Sequence, residues 1–177
     1  MSSAAGRRAL LVNATELLRQ PGQRRPVEVA VELDDVDVVD DRLSGPITVD
    51  VTLTSTLDDI EVAGQLRVAW SDTCRRCLRP LADDLVIEVD ERYAEADETG
   101  LRRVDPEAFP IEQGQLDLTP MVREEVLLGV PDAPLCRDDC PGLCPSCGAD
   151  LQVGSCGCST EVRDARWAAL DELRLDD

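Results

Sequence analysis

Eight cysteines fall into three groupings with spacings that suit metal chemistry: Cys74-Arg75-Arg76-Cys77, Cys136-Arg137-Asp138-Asp139-Cys140, and Cys144-Pro145-Ser146-Cys147-Gly148 followed by Cys156-Gly157-Cys158. A Cys-x-x-Cys turn brings two thiolates to one edge of a metal ion. A glycine directly after it, as at Gly148, lets the backbone aim N–H groups at sulfur. Zinc takes four thiolates in a tetrahedron at about 2.3 Å, so two closed sites consume all eight cysteines. Cys144, Cys147, Cys156 and Cys158 lie within 15 residues and can close one compact site. Cys74, Cys77, Cys136 and Cys140 then form the other, tying the loop after a strand to the chain leaving a later helix; spacing alone leaves other divisions open. Cys-Pro-x-Cys-Gly also suits iron, but the single residue between Cys156 and Cys158 is unlike rubredoxin, so the expected cofactor is zinc, two ions per chain. A redox dithiol at Cys74 and Cys77 lacks the intervening Trp, Gly or Pro and the surrounding βαβ pattern.

The rest of the chain argues against an enzyme. Of 177 residues none is histidine and none is lysine, so there is no imidazole base, no Ser/His or Cys/His nucleophile and no mixed Cys/His metal site. A phosphate-cradling Gly-rich loop is absent, and closed four-thiolate sites leave no coordination position for substrate or water. The formal charge of −19 repels phosphate backbones at long range and favours basic partners. Aromatics are confined to Trp70, Tyr93, Phe109 and Trp167, so the core is aliphatic and platforms for stacking bases are scarce. The apolar run Ala9 to Val12 is too short for a signal peptide, and no stretch approaches the ~20 residues of a membrane span. A cytoplasmic protein with reduced thiols is the expectation.

The elements that must position the cysteines are legible from periodicity. Thr15 to Gln20 suits a short helical turn, ended by Pro21-Gly22. Val27, Val29, Val31 and Leu33 alternate with polar residues as a half-buried strand does. Ile47, Val49, Val51 and Leu53, then Ile60, Val62, Leu66, Val68 and Trp70, read as a hairpin across Asp58-Asp59, and Leu85, Ile87 and Val89 continue into a further strand ending at Tyr93. Residues 94–115, acidic with Gly and Pro, read as a linker. Pro120 opens a helix over 118–130, and a last helix is expected from Val162 to Leu175. The fold class is therefore α+β: a mainly antiparallel sheet, open or partly rolled, with two or three helices and a C-terminal cysteine-rich zinc knuckle. The expected division is a sheet-rich core over 1–135 and a metal-binding segment with its helix over 136–177.

The order of these motifs resembles a known family. Leu17-Leu18-Arg19-Gln20-Pro21-Gly22, the Cys74 to Leu78 knuckle, the acidic linker, Asp117 to Glu125 leading to Leu127-Leu128-Gly129-Val130-Pro131, and Cys140-Pro141-Gly142-Leu143-Cys144-Pro145-Ser146-Cys147-Gly148-Ala149-Asp150-Leu151 are similar to the YceD family of large ribosomal RNA subunit accumulation proteins. Asp164 to Leu170 fits as well. The resemblance implies a bacterial or plastid ribosome-biogenesis factor without enzyme activity. Such a factor supports accumulation or processing of 23S ribosomal RNA during large-subunit assembly. Family members that lack the Cys-Pro-x-Cys-Gly end imply that the second site is separable. The partners implied are pre-23S ribosomal RNA, a basic large-subunit ribosomal protein, or both, with neither membrane nor small-molecule substrate. The competing class is a metal-dependent redox or electron-transfer protein with thiolate-bound iron.

Two charged features have a functional and an ordinary reading. Arg75, Arg76 and Arg79 cluster on the first knuckle and either contact RNA phosphates or form a solvated turn. Asp34, Asp35, Asp37, Asp40 and Asp41 lack the Gly and distal Glu of a calcium loop, and form either a solvated loop or a face for a basic partner.

Overall fold

A computed structural model describes residues 3–57, 59–95 and 108–158. The helix expected over 162–175 and most of the 94–115 linker lie outside these residues. The chain divides into two compact units: unit 1 is Met1–Asp72 with Pro80–Asp132, and unit 2 is Thr73–Arg79 with Ala133–Asp177.

In chain order unit 1 is built from α1 (Ser3–Ala9), β1 (Leu11–Asn13), α2 (Ala14–Leu18), β2 (Arg24–Val31), a 3-10 turn (Leu33–Val36), β3 (Leu43–Ser55), β4 (Asp59–Thr73), β5 (Pro80–Glu95), β6 (Phe109–Glu112), β7 (Gln115–Asp117) and α3 (Thr119–Gly129). The seven strands form one sheet in the order β1-β7-β6-β5-β4-β3-β2. Alternation sets its inner face: Ile47, Val49, Val51 and Leu53 of β3 and Ile60, Val62, Leu66 and Val68 of β4 are all buried. Register follows from that face, with Val27, Val29 and Val31 of β2 opposite Val51, Val49 and Ile47.

Within the inward row of β4, Gly64 stands where a side chain would be expected. It pairs with Val51, and a Cβ there would lie 2.2 Å from the Asp50 carbonyl oxygen and 2.7 Å from the Val51 Cα. The two backbones approach at a distance that only glycine permits. Nearer the start of β3 the register with β4 shifts between Ser44 and Thr48, where Pro46, which has no ladder N–H to give, is accommodated.

The sheet is mainly antiparallel, as expected, but one parallel pairing makes it mixed. β5 and β6 run parallel, with Tyr93 opposite Phe109 and Glu95 opposite Ile111. The stretch read as linker therefore contributes β6 and the start of β7 to the sheet. Ile111 and Leu116 are buried, and the Tyr93 and Phe109 rings stack with centroids 5.2 Å apart. The Tyr93 hydroxyl donates to the Asp117 carbonyl at 3.1 Å, which satisfies the one polar atom of a fully buried ring. At the other end of the sheet, β1 pairs with β7, so the apolar run from Ala9 to Val12 leads from the end of α1 into an edge strand, with Leu10 and Val12 buried.

Met121, Val122 and Val126 of α3 complete the core, and Gly129 lets the helix approach Ile87 of β5 closely. The acidic loop is folded on itself. Glu32 and Asp35 form a reciprocal cap on the 3-10 turn. Arg7 donates to the Asp35 carbonyl at 2.7 Å and to the Asp37 carboxylate at 2.6 Å. Arg42 grips Asp40 at 2.7 Å and donates to the Pro131 carbonyl at 3.0 Å.

Unit 2 enters the chain twice, between β4 and β5 and again after Asp132. Its buried side chains differ in kind from those of unit 1. None of the residues of the aliphatic core cluster belongs to it, whereas Cys74, Cys77, Cys140 and Cys144 are buried. Among its described residues, sulfur takes the place of a hydrophobic core.

Candidate metal centre

The first knuckle is a tight turn. The Cys74 N–H donates to the Arg79 carbonyl at 2.8 Å and the Leu78 N–H to the Cys74 carbonyl at 2.9 Å. The second knuckle repeats it bond for bond, from the Cys144 N–H to Ala149 at 2.8 Å and from the Gly148 N–H to Cys144 at 2.8 Å. Both turns need a left-handed residue after the second cysteine, supplied by Gly148 at φ 73° and, against the usual preference, by Leu78 at φ 60°. We expect Leu78→Gly to stabilise unit 2 by about 0.5–1 kcal/mol, strain relief outweighing lost chain stiffness. Gly148→Ala, whose Cβ meets nothing within 4 Å, should cost about 1 kcal/mol. Thermal melts of the two variants should therefore shift in opposite directions.

The sulfurs gather into two sets. Cys74, Cys77, Cys136 and Cys140 form one, Cys144, Cys147, Cys156 and Cys158 the other, with the ligand atoms of each within 4.8 Å of one another. In the first set Cys74 and Cys140 sulfurs are 3.8 Å apart and those of Cys77 and Cys136 are 3.7 Å apart. A tetrahedron with arms of about 2.3 Å has edges of about 3.8 Å, so these sulfurs fit one four-coordinate ion. An iron–sulfur cluster, with its own irons and sulfides between the thiolates, needs them farther apart.

Around the first set other groups are fixed toward sulfur. Gln152 Nε2 donates to Cys140 Sγ at 3.4 Å and to Cys136 Sγ at 3.5 Å. Arg79 holds the Gln152 Oε1 at 3.2 Å and the Asp150 carboxylate at 2.6 Å. The Gln152 backbone N–H, with Arg79, keeps Asp150 below the ordinary carboxylate range. Arg76 donates to the Cys140 carbonyl at 2.9 Å and the Asp138 carbonyl at 3.4 Å. Arg75, also exposed, has its N–H bonded to the Pro134 carbonyl at 2.9 Å. Arg76 and Arg79 thus bind groups of unit 2 itself. Gln152 had no signal in the sequence, since only the folded turn brings a residue 12 and 16 positions from its sulfurs back to them.

Thiol acidity within each set is split. The Cys77 backbone N–H, chiefly, lowers Cys74 to about 6, and the Cys147 and Ser146 N–H groups lower Cys144 to about 6. Burial pushes Cys140 up to about 12, and the neighbouring sulfurs of Cys147 and Cys156 push Cys158 up to about 12. Four thiols crowded together cannot all ionise without a cation, so metal uptake at neutral pH must expel protons. Affinity should fall with falling pH, most steeply below about 6, where Cys74 and Cys144 also take up protons. Competition against a chromophoric chelator between pH 8 and 5 measures this, and a pH-independent affinity would exclude thiolate ligation.

Two four-sulfur sets, in a unit none of whose described residues joins the aliphatic core cluster, could each hold a metal ion. The family model described as large ribosomal RNA subunit accumulation protein YceD matches residues 62–174, and the chain belongs to the YceD family. It is 28% identical over 173 residues to uncharacterised proteins of Mycobacterium bovis and Mycobacterium tuberculosis, covering 93% of this chain and 81% of each relative. It is also 33% identical over 66 residues to the large ribosomal RNA subunit accumulation protein YCED homolog 1, chloroplastic, of Arabidopsis thaliana, covering 37% of this chain and 21% of that protein. No solved structure matches. No described helix is long and apolar enough to cross a membrane.

Proposed function

We propose that this chain is a non-enzymatic ribosome-biogenesis factor, carrying two structural zinc ions, that supports accumulation of 23S ribosomal RNA by binding a basic protein of the large subunit. The carrying observation is that all eight cysteines close into two four-sulfur sets inside the segment that the family model matches. Such sites shape a surface and leave no position for a substrate.

The partner's chemistry follows from charge. At −19 the chain opposes RNA at long range, and Arg76 and Arg79 already serve the knuckle. The Asp34 to Asp41 loop spends Asp35, Asp37 and Asp40 on its own cap, Arg7 and Arg42. A better acceptor for arginines and lysines is a cleft of about 540 Å³ on unit 1, where Glu61, Asp90, Glu91, Glu124 and Glu125 outnumber Arg92 beside the exposed Leu128. Burial, then Glu91 and Glu124, hold Glu125 above its ordinary range, a repulsion that a cationic side chain would relieve.

Binding of purified basic large-subunit proteins and of 23S fragments should be compared for the wild type, Glu91→Gln with Glu125→Gln, and Arg75→Ala with Arg76→Ala and Arg79→Ala. Salt-sensitive binding of a basic protein, weakened by the first change, supports the reading. Tight RNA binding abolished by the arginine change would reject it. Visible colour from bound iron would favour the electron-transfer alternative.

A further inference from the structure

We propose that the exposed cysteines of the second set, Cys147, Cys156 and Cys158, are an oxidation site: a peroxide-class oxidant joins two of them in a disulfide and expels the metal of that set, while the first set keeps its own. This rests on the metal reading above. The two sets share ligand number and knuckle geometry but differ in protection. In the first, Cys74, Cys77 and Cys140 are buried and Cys136 is half-buried. Gln152, itself held by Arg79, covers two of the sulfurs with its amide N–H groups. In the second, Cys144 is buried but Cys147, Cys156 and Cys158 are exposed, their sulfurs within 4.8 Å of one another. Thiolate oxidation follows access and thiolate character, and a metal-held sulfur has the second in both sets, so access decides.

Zinc has no redox step of its own, so the electrons come from sulfur. One thiolate gives an electron pair to an oxygen of hydrogen peroxide, the O–O bond breaks, and with one proton the products are a sulfenic acid and water. The second thiolate attacks that sulfur, the S–O bond breaks, and with another proton the oxygen leaves as water. Two thiolates, one peroxide and two protons become one disulfide and two waters. Cys144 and the one thiolate left beside it do not hold the ion, which leaves as Zn²⁺. Exchange with a dithiol reductant, which leaves as its own disulfide, returns both thiols, and zinc can rebind.

The full chain, loaded with zinc under reducing conditions and then freed of reductant, should be titrated with hydrogen peroxide in the presence of a chromophoric zinc chelator, with disulfides mapped by peptide mass. One equivalent should leave at least ~10-fold faster than the other, together with a disulfide between two of Cys147, Cys156 and Cys158, and return with reductant and zinc. Gln152→Leu should weaken metal retention by the first set ~10- to 100-fold and close the gap between the two phases. Release of both ions in a single phase, or a first disulfide among Cys74, Cys77, Cys136 and Cys140, overturns the inference alone. A chain that takes up fewer than two ions before oxidation overturns the metal reading beneath it.

Discussion

Cys74→Ser is expected to remove one of two metal ions and to unfold most of the first-set segments, residues 73–79 and 133–143, while unit 1 stays folded. Serine is close in size to cysteine, but its hydroxyl is not a thiolate at neutral pH and cannot complete a four-sulfur site. In an ordinary core that change would cost little. Here the buried side chains of unit 2 are largely the ligands themselves, so losing the ion removes what those segments fold around. Structural zinc in small domains supplies up to ~10–16 kcal/mol at neutral pH, and the account expects several kcal/mol of that to be lost. The Cys77 to Cys136 link, spanning 59 positions, also restricts the unfolded chain, so the loss is larger than contacts alone suggest. Unit 1 keeps its own aliphatic cluster, including Met121, Val122 and Val126 of α3, and does not depend on that ion. Hydrogen exchange on zinc-loaded protein should show lost protection confined to the first-set segments. Cys144→Ser should instead expose 142–158. The same pattern from both variants would contradict the division of the cysteines.

Gly64→Ala is the second large effect, this time in unit 1. Its methyl would meet backbone rather than a side chain that can turn aside, at 2.2 Å from the Asp50 carbonyl oxygen. β3 and β4 must separate there, across the pair that joins Val51 to Gly64 in the middle of the two long strands. A cost of about 3 kcal/mol, at the upper end for overpacking, is expected in chemical denaturation. Zinc content should be unchanged, because unit 2 supplies all the ligands. A cost below about 1 kcal/mol would mean that the strands part more easily than this register implies.

What the sequence disclosed followed physical range. β2 to β5 were legible because alternation is a local pattern, and the two cysteine sets were legible because short chain separations favour one compact site. β6 and β7 were not, since strands of four and three residues beside Pro110 and Gly114 carry too little periodicity. The parallel pairing of β6 with β5 leaves no local trace at all. Leu78 in a left-handed conformation was hidden because its residue type argues against it. The partners of Arg79, Asp150 and Gln152, were not legible because they are 71 and 73 positions away. The acidic loop likewise looked free until Arg7 arrived from α1, 30 positions before Asp37.

Elemental analysis of the full chain, purified under reducing and zinc-replete conditions, tests the central claim most directly. The account predicts two zinc ions per chain, one for each set of four sulfurs. Iron in their place, or one ion or fewer, would contradict it.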